Sequence, residues 1–319
     1  MNRNVIRSVL RSAIRRVSKD VVAKLPRVAK EAVFEQICDD FGEFAVITKF
    51  APRLNVVALR VTGNYGVIQN AADDYTILTE YAKTGTWAER TNSLFRSFFA
   101  NTGGNYIDIG ANIGLTTIPV AQNPRVHCLA IEPEPRNFAN LCVNIAENCP
   151  HKNVEVQRLA IFVRRQRLSL ELSRENRGDH RLRIGEKKNG RYREQDRATI
   201  DVEAMPLDEI ARNLNGSLAV KIDTQGAEPF VVLGGKETLA RAGLVVLEFW
   251  PYGMSRLGGD SENLIKFLRN QFSTLAIATK EEATVLPARP SSEVCEELTA
   301  FVTAHTDHPK MYLDVIARR

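Results

Sequence analysis

Asp108-Ile109-Gly110-Ala111-Asn112-Ile113-Gly114, entered from Tyr106-Ile107, is the stretch on which the reading of this chain turns. A short strand ends at the acid, two glycines open a tight turn, and a helix is expected from Leu115 to Ala121. Glycine matters there because only a residue without Cβ turns freely with φ > 0 or lets another group approach the backbone closely. The helix start that follows offers unpaired N–H groups to a carboxylate or phosphate. Glu132 closes the next apolar run, Val126-His127-Cys128-Leu129-Ala130-Ile131. It lies about 20 residues on, where a nucleotide-type fold places the acid that accepts hydrogen bonds from ribose hydroxyls. The bland alternative is an ordinary βαβ turn with no ligand.

Dinucleotides and S-adenosylmethionine share this logic. A dinucleotide site wants a third glycine so that the helix packs close and the pyrophosphate sits on its N-terminus. Here Asn112 holds the middle glycine position, and Leu115, Thr116 and Thr117 follow Gly114. A side chain where a pyrophosphate should pass argues against NAD, whereas a methionyl amine and carboxylate are smaller.

Working outward, strands alternate with helices. Strands are expected at Tyr106-Ile109, His127-Ile131, Glu155-Ile161, Leu218-Asp223, Leu244-Phe249, Thr274-Ala278 and Tyr312-Ile316, with helices at Leu115-Ala121, Arg136-Asn148, Pro206-Asn213, Pro229-Ala242 and Ser261-Gln271. That alternation is an α/β, doubly wound, Rossmann-like sheet. Upstream, Asn55-Val61 and Val67-Ile68 flank a Gly63-Asn64-Tyr65-Gly66 turn, and helices are expected over Asp74 to Lys83 and Trp87 to Phe99. Residues 1–50 read as a basic helical extension, leaving 51–319 as the catalytic domain, with a basic insertion, expected to be a β-hairpin, over about 164–200.

The turn, Ile131-Glu132-Pro133-Glu134-Pro135, Leu141-Cys142-Val143-Asn144-Ile145, Leu207-Asp208-Glu209-Ile210, Lys221-Ile222-Asp223-Thr224-Gln225-Gly226-Ala227-Glu228 and Val246-Leu247-Glu248 together resemble the FkbM-type S-adenosylmethionine-dependent methyltransferases. The resemblance implies a seven-stranded methyltransferase sheet whose last strand inserts antiparallel near one edge. It also implies S-adenosylmethionine as cofactor and transfer of a methyl group to oxygen, on a sugar hydroxyl or similar small polar acceptor. One departure stands out: the family usually reads Lys-Ile-Asp-Val-Glu-Gly-Ala-Glu, and this chain has Thr224 and Gln225 in the middle. Asn176, Gly178 and Asp179 resemble the family's Asn-x-Gly-Asp segment and, with Glu248, are the substrate-side candidates.

In an open α/β sheet, ligands bind beyond the carboxyl ends of the strands. Asp108, Glu132, Asp223 and Glu248 all sit at or near such ends, although an acid there also caps the helix that follows. Glu132 is read as the ribose acceptor, Gly110, Asn112 and Gly114 as lining the methionyl half, and Asp108 as ordering the turn or binding the amino group. No carboxylate ends the third strand, where Gln157-Arg158-Leu159-Ala160 stands, so adenine is left to backbone groups and packing. For a hydroxyl acceptor a base must take the proton during attack; Asp223 is the candidate, with cofactor or hydroxyl binding as its alternative role. Lys221, two residues earlier, shares its sheet face and lowers its basicity. Two other readings stay open: an NAD-type oxidoreductase, and a cofactor-binding scaffold without catalysis.

Of 319 residues, 44% are hydrophobic and 25% charged, an ordinary globular balance. No apolar run approaches the ~20 residues that span a bilayer. The net charge of +5 is uneven: residues 158–197 carry thirteen Lys and Arg against six Asp and Glu, leaving the remainder near −2. With only Phe162 and Tyr192 as aromatics, this stretch lacks the stacking platforms of single-strand nucleic-acid binders. It reads either as a solvated face or as a rim attracting an anionic acceptor. At the N-terminus, Ile6, Val9, Leu10, Ile14, Val17, Val21 and Leu25 fall at helical spacing among Arg3, Arg7, Arg11, Arg15 and Arg16. Three readings fit: a helix packed on the domain or on a partner subunit of a homo-oligomer, a peripheral membrane-surface helix, or a targeting peptide. Five cysteines without a Cys-x-x-Cys pair suggest reduced thiols in a cytoplasmic protein. His305 and His308, read as a polar loop, have too few neighbouring ligands for a metal site.

Overall fold

The strongest apolar runs form the middle of a mixed sheet. The computed structural model describes residues 58–72, 74–173, 176–183, 194–279 and 287–319. The basic N-terminal helix and its candidate partners therefore lie outside the described residues, as do Lys187, Lys188, Arg191 and Arg193 of the basic stretch.

The described chain begins with an antiparallel ribbon of β1 (Ala58–Gly63) and β2 (Gly66–Ala71). The helix Tyr75–Thr84 follows, capped by the Asp74 carboxylate, which accepts from the Thr76 N–H, and stopped by Gly85 at φ +71°. Thr84 is its last residue because a left-handed glycine closes the helix at no steric cost. The helix Glu89–Phe99 then buries Phe95 and Phe99; the Phe95 ring meets Tyr106 with centroids 4.7 Å apart. Burying one such ring contributes about 1.5–3 kcal/mol.

Next come three parallel strands: β3 (Gly104–Ile109), β4 (Val126–Ile131) and β5 (Val154–Gln157). Between Gln157 and Ala160 the chain leaves this sheet, so the strand expected over Glu155-Ile161 is divided. Ala160–Ile161 (β6) pairs instead in a second sheet with β7 (Gln166–Glu171), β8 (Arg181–Arg183) and β9 (Thr199–Met205), in the order β6-β9-β7-β8. The described part of the basic stretch is carried on this second sheet. The main sheet resumes with β10 (Leu218–Ile222), β11 (Leu244–Phe249), β12 (Thr274–Ala278), the two-residue β13 (Arg289–Pro290) and β14 (Leu313–Arg318). Its eight strands run β13-β12-β14-β11-β10-β3-β4-β5, and β14 lies antiparallel between β11 and β12.

Both faces of this sheet are covered, which is why its central strands read as largely apolar runs. Ile107, Ile109, Val220, Ile222, Leu247, Phe249 and Val315 belong to one buried cluster.

Several helices differ from expectation. The one expected at Leu115-Ala121 is a single turn, Ile118–Ala121, because the Thr116 and Thr117 hydroxyls both donate to Asp108 and hold their backbone in turns. Pro229-Ala242 breaks at Gly235 into Glu228–Gly234 and Lys236–Leu239, and the helix expected over Pro206-Asn213 shortens to Leu207–Ile210. Pro251–Leu257 and Ser291–His305 are additional helices, and His305 ends the second of them, its ring 4.4 Å from that of Phe301, rather than lying in a loop. Among the described residues no helix is long and apolar enough to cross a membrane.

Candidate active site

Strand order reverses between β3 and β10: from β3 the chain steps outward to β4 and β5, from β10 to β11. The loops leaving these two strands therefore diverge, and the crevice between them is where an open α/β sheet holds ligands. A cleft of about 1110 Å³ opens there, lined among others by Gly110, Asn112, Glu132, Asn176, Asp179, Asp223 and Glu248. Asp108 and Gly114 are not in its lining.

Asp108 is fully buried below the cleft. One of its oxygens accepts from the Thr116 and Thr117 hydroxyls at 2.6 and 2.7 Å; the other faces the Lys221 ammonium at 3.3 Å. Lys221 also donates to the Gly110 carbonyl at 3.3 Å and lies 3.5 Å from the Asp223 carboxylate. Burial pulls the lysine pKa down, but Asp108 and Asp223 outweigh it and hold the ammonium above its ordinary range. Asp108 thus ties Thr116, Thr117 and the buried Lys221 ammonium together beneath the turn. Gly110 at φ +79° and Gly114 at φ +96° lie in the left-handed region that favours glycine; a Cβ on Gly110 would also collide with the Asp223 carbonyl oxygen at 1.9 Å, whereas one on Gly114 would only crowd the Leu141 side chain at 3.0 Å.

Glu132 directly follows β4 and is buried. Each carboxylate oxygen accepts one backbone amide, from Asn112 and from Glu134, both at 2.9 Å. Burial pushes its pKa up to about 7, against the pull of those two amides and of Lys221. Asn112 sits in the left-handed region at φ +52°. Its side-chain Oδ1 is buried with no hydrogen-bond partner, as is Oδ1 of Asn137, another residue of the lining.

On the opposite wall, Asp223 is the most exposed of these acids, its side chain 41% accessible. Gln225 donates through one nitrogen to Asp223 Oδ1 at 2.9 Å and to Glu248 Oε2 at 3.1 Å. Burial first, then Asp223, Glu228, Asp314 and Asp179, push the Glu248 carboxyl well above the usual range. Glu248 lies in register with Asp314 on β14, which pairs with Arg90 at 3.0 Å.

The roof comes from the second sheet. Asn176 Oδ1 accepts from the Gly178 N–H at 2.9 Å in a tight turn, and Asp179 is gripped by Arg181 and Arg197, each at 2.6 Å. Arg181 also lies 4.5 Å over the Trp250 ring and 3.3 Å from the buried Glu194. Asp179 therefore reaches the cleft with its carboxylate already paired. His180 Nδ1 accepts the Ser173 N–H at 3.0 Å, which puts the ring proton on Nε2. Burial, with Arg177 and Arg197, holds its pKa down to about 4, so the ring is neutral. Much of the basic stretch is likewise paired, Arg167 with Glu203, Arg183 with Glu171 and Arg165 with Glu209. Among the described residues no group of three or more His, Cys, Asp or Glu is arranged to hold a metal ion.

Residues 108–273, just over half of the chain, match the family described as the Methyltransferase FkbM domain. The chain belongs to this family. FkbM methyltransferases, like methyltransferases generally, typically use S-adenosylmethionine. No curated protein matches the sequence. Among solved structures, it is similar to EvdMO1 (13% identity, covering 72% of this chain and 41% of that one, TM-score 0.36). It is also similar to the precorrin-6y C5,15-methyltransferase of Geobacter metallireducens GS-15 (10%, 73% and 94%, 0.36) and to WbdD (10%, 75% and 43%, 0.38).

For this FkbM methyltransferase, sequence reasoning named Gly110, Asn112, Glu132, Asn176, Asp179, Asp223 and Glu248, and all of them line one cleft. It missed His180, Arg90 and Asp314. The Arg90–Asp314 pair spans most of the chain, and no local pattern announces such a contact.

Proposed function

We propose that the chain is an S-adenosylmethionine-dependent O-methyltransferase acting on a sugar hydroxyl or a similar small polar acceptor. The observation that supports this reading best is the union, in one cleft, of the Gly110–Glu132 wall with the Asp223–Glu248 acid pair. The first wall fits the cofactor. Glu132, its oxygens each anchored by only one amide, keeps acceptor capacity for vicinal ribose hydroxyls. The orphaned Oδ1 of Asn112 suits the methionyl ammonium, since a buried acceptor without a donor costs about 1–3 kcal/mol. Leu159, Ala160 and Ile161 offer apolar surface to the adenine.

When bound, the cofactor supplies a methyl group already activated on a sulfonium. The protein's task is alignment, plus removal of the acceptor's proton. Asp223 is the candidate for that: it is exposed to the cleft, accepts from Gln225 and lies beside Lys221.

Calorimetric titration with S-adenosylmethionine and with NAD tests the reading first, and only the former should bind. A panel of hydroxylated acceptors, followed by mass spectrometry, should then reveal addition of a single methyl group. Failure to bind S-adenosylmethionine would overturn the assignment, and binding without transfer to any acceptor would favour a non-catalytic scaffold.

A further inference from the structure

Gln225 stands where the family's usual pattern has glutamate, and the structure gives its amide a specific task. The loop that carries it is fixed independently of the side chain. Glu228, fully buried, accepts the Thr224 N–H at 2.9 Å, the Thr224 hydroxyl at 2.9 Å and the Gly226 N–H at 3.0 Å. Gly226, at φ +105°, lies so close to Gly253 that a Cβ would meet its backbone at 2.5 Å. Between these anchors Gln225 adopts φ +56°, a left-handed conformation that residues with a side chain rarely take. That geometry directs its Nε2 to both carboxylates.

We propose that Gln225 is a positioning residue whose side-chain amide yokes Asp223 and Glu248 into one hydrogen-bonded pair, fixing which oxygens face the acceptor hydroxyl. The inference rests on the reading of this wall as the acceptor side of a methyltransferase. An amide nitrogen has two N–H donors, and one goes to each acid. A carboxylate at 225 would instead press three like charges together, which only a proton or a cation offsets. The pair is also asymmetric. Lys221 stands beside Asp223, whereas Glu248 faces Asp223, Glu228, Asp314 and Asp179 and protonates at a pH well above the usual carboxylate range. Asp223, beside the Lys221 ammonium and the more exposed of the two, supplies the oxygen that receives a proton.

Two variants of the full-length protein test this. Gln225→Asn suits the left-handed backbone better than most residues but is one methylene too short to reach both acids. Gln225→Glu keeps the length and removes both donors. Carboxyl carbons of Asp and Glu, labelled with ¹³C and assigned through Asp223→Asn and Glu248→Gln, are followed by NMR as pH is varied. Removing a donor from an ionised carboxylate raises its titration midpoint, so Gln225→Asn should move Glu248 up by about one pH unit, and Gln225→Glu further. S-adenosylmethionine affinity should stay within about twofold in both, because a one-unit-scale effect confined to the acids leaves the cofactor wall intact. Unmoved midpoints in Gln225→Asn would overturn the proposal, and so would a parallel loss of cofactor affinity, which would assign Gln225 to the cofactor wall. If the wild type itself failed to bind S-adenosylmethionine, the functional reading would fall and take the proposal's premise with it, while the titration would still report whether the two acids are coupled.

Discussion

The carbonyl oxygen of Asp223 lies 1.9 Å from where a Cβ on Gly110 would stand. The loops leaving β3 and β10 therefore touch backbone to backbone at the point where the sheet changes direction. The Asp223 N–H donates to the Ile109 carbonyl at 3.0 Å, and Lys221 ties the Gly110 carbonyl from below. The need for glycine here comes from the protein itself, before any ligand enters.

Gly110→Ala should consequently lower stability as well as cofactor binding. The left-handed backbone alone costs alanine about 1–2 kcal/mol, and the collision with Asp223 adds to it. Denaturant unfolding monitored beside calorimetric titration measures both. An alanine variant as stable as the wild type would show that the two loops separate easily, and would remove this account of the site's rigidity.

Glu132 yields a prediction in pH. Its pKa of about 7 belongs to the ligand-free protein, and hydroxyl donors from a bound ribose would favour the ionised form. S-adenosylmethionine affinity should thus rise between pH 6 and 8, with proton release on binding visible in buffers of different ionisation heat. The stability sign follows from the same shift. A carboxyl whose folded pKa is raised contributes stability that is complete below its ordinary 4.5 and is lost as pH climbs through about 7. Glu228, also raised to about 7, acts in the same direction, while the depressed His180 acts oppositely as pH falls from 6.5 to about 4. Comparing wild type with Glu132→Gln isolates the first: the variant should bind S-adenosylmethionine about 100-fold more weakly and gain relative stability as pH rises. Equal affinity in the variant would remove Glu132 from the cofactor wall.

Legibility divided along a physical line. The strands of the main sheet were readable because strands buried on both faces are apolar over most of their length, as in Leu218–Ile222 and Leu244–Phe249, whose single charges, Lys221 and Glu248, sit near the ends that face the cleft. Gly110, Glu132 and Asp223 were readable because strand ends at a switch point are few. What escaped depends on contacts between distant segments. Nothing near Asp108 says that its partners are two threonine hydroxyls and a lysine from another strand. Nothing near Asp179 says that Arg197 closes on it from across a second sheet, or that His180 would be held neutral by burial and two arginines. The helix ends were misjudged where side chains compete with the backbone, as Thr116 and Thr117 do, or where Gly234 and Gly235 interrupt an apolar face.

Lys221→Met should be among the most damaging single changes. It leaves Asp108 buried with a charge and only two hydroxyls, and breaking a buried pair from one side costs about 3–5 kcal/mol. Because Lys221 is held above its ordinary range, its contribution is complete below pH 10.5 and is lost only as pH climbs beyond the folded value. From about pH 6 to pH 9 the lysine itself adds no slope, so the gap between wild type and variant should widen with pH only as Glu132, no longer held down by Lys221, titrates higher. A loss below about 1 kcal/mol, the size of a surface pair, would mean that Asp108 is solvated by other means.

Asp223→Asn separates the catalytic from the binding role. Asparagine keeps an oxygen that can accept from the Gln225 amide at the position now 2.9 Å away, so the loop and its hydrogen bond should survive. Only the capacity to take a proton is removed. With an acceptor identified from the hydroxyl panel and held at saturation, single-turnover rates should fall about 100-fold or more, the usual yield of a positioned base. S-adenosylmethionine affinity should stay within about twofold, since a site that loses one proton acceptor but no contact surface binds its ground state as before. Recovery of the rate at high pH would indicate that the acceptor's own ionisation now substitutes for Asp223, which supports the base assignment. An unchanged rate at neutral pH would leave Asp223 as an orienting group, and dependence of the wild type on added Mg²⁺ would point to it as a ligand of that ion instead.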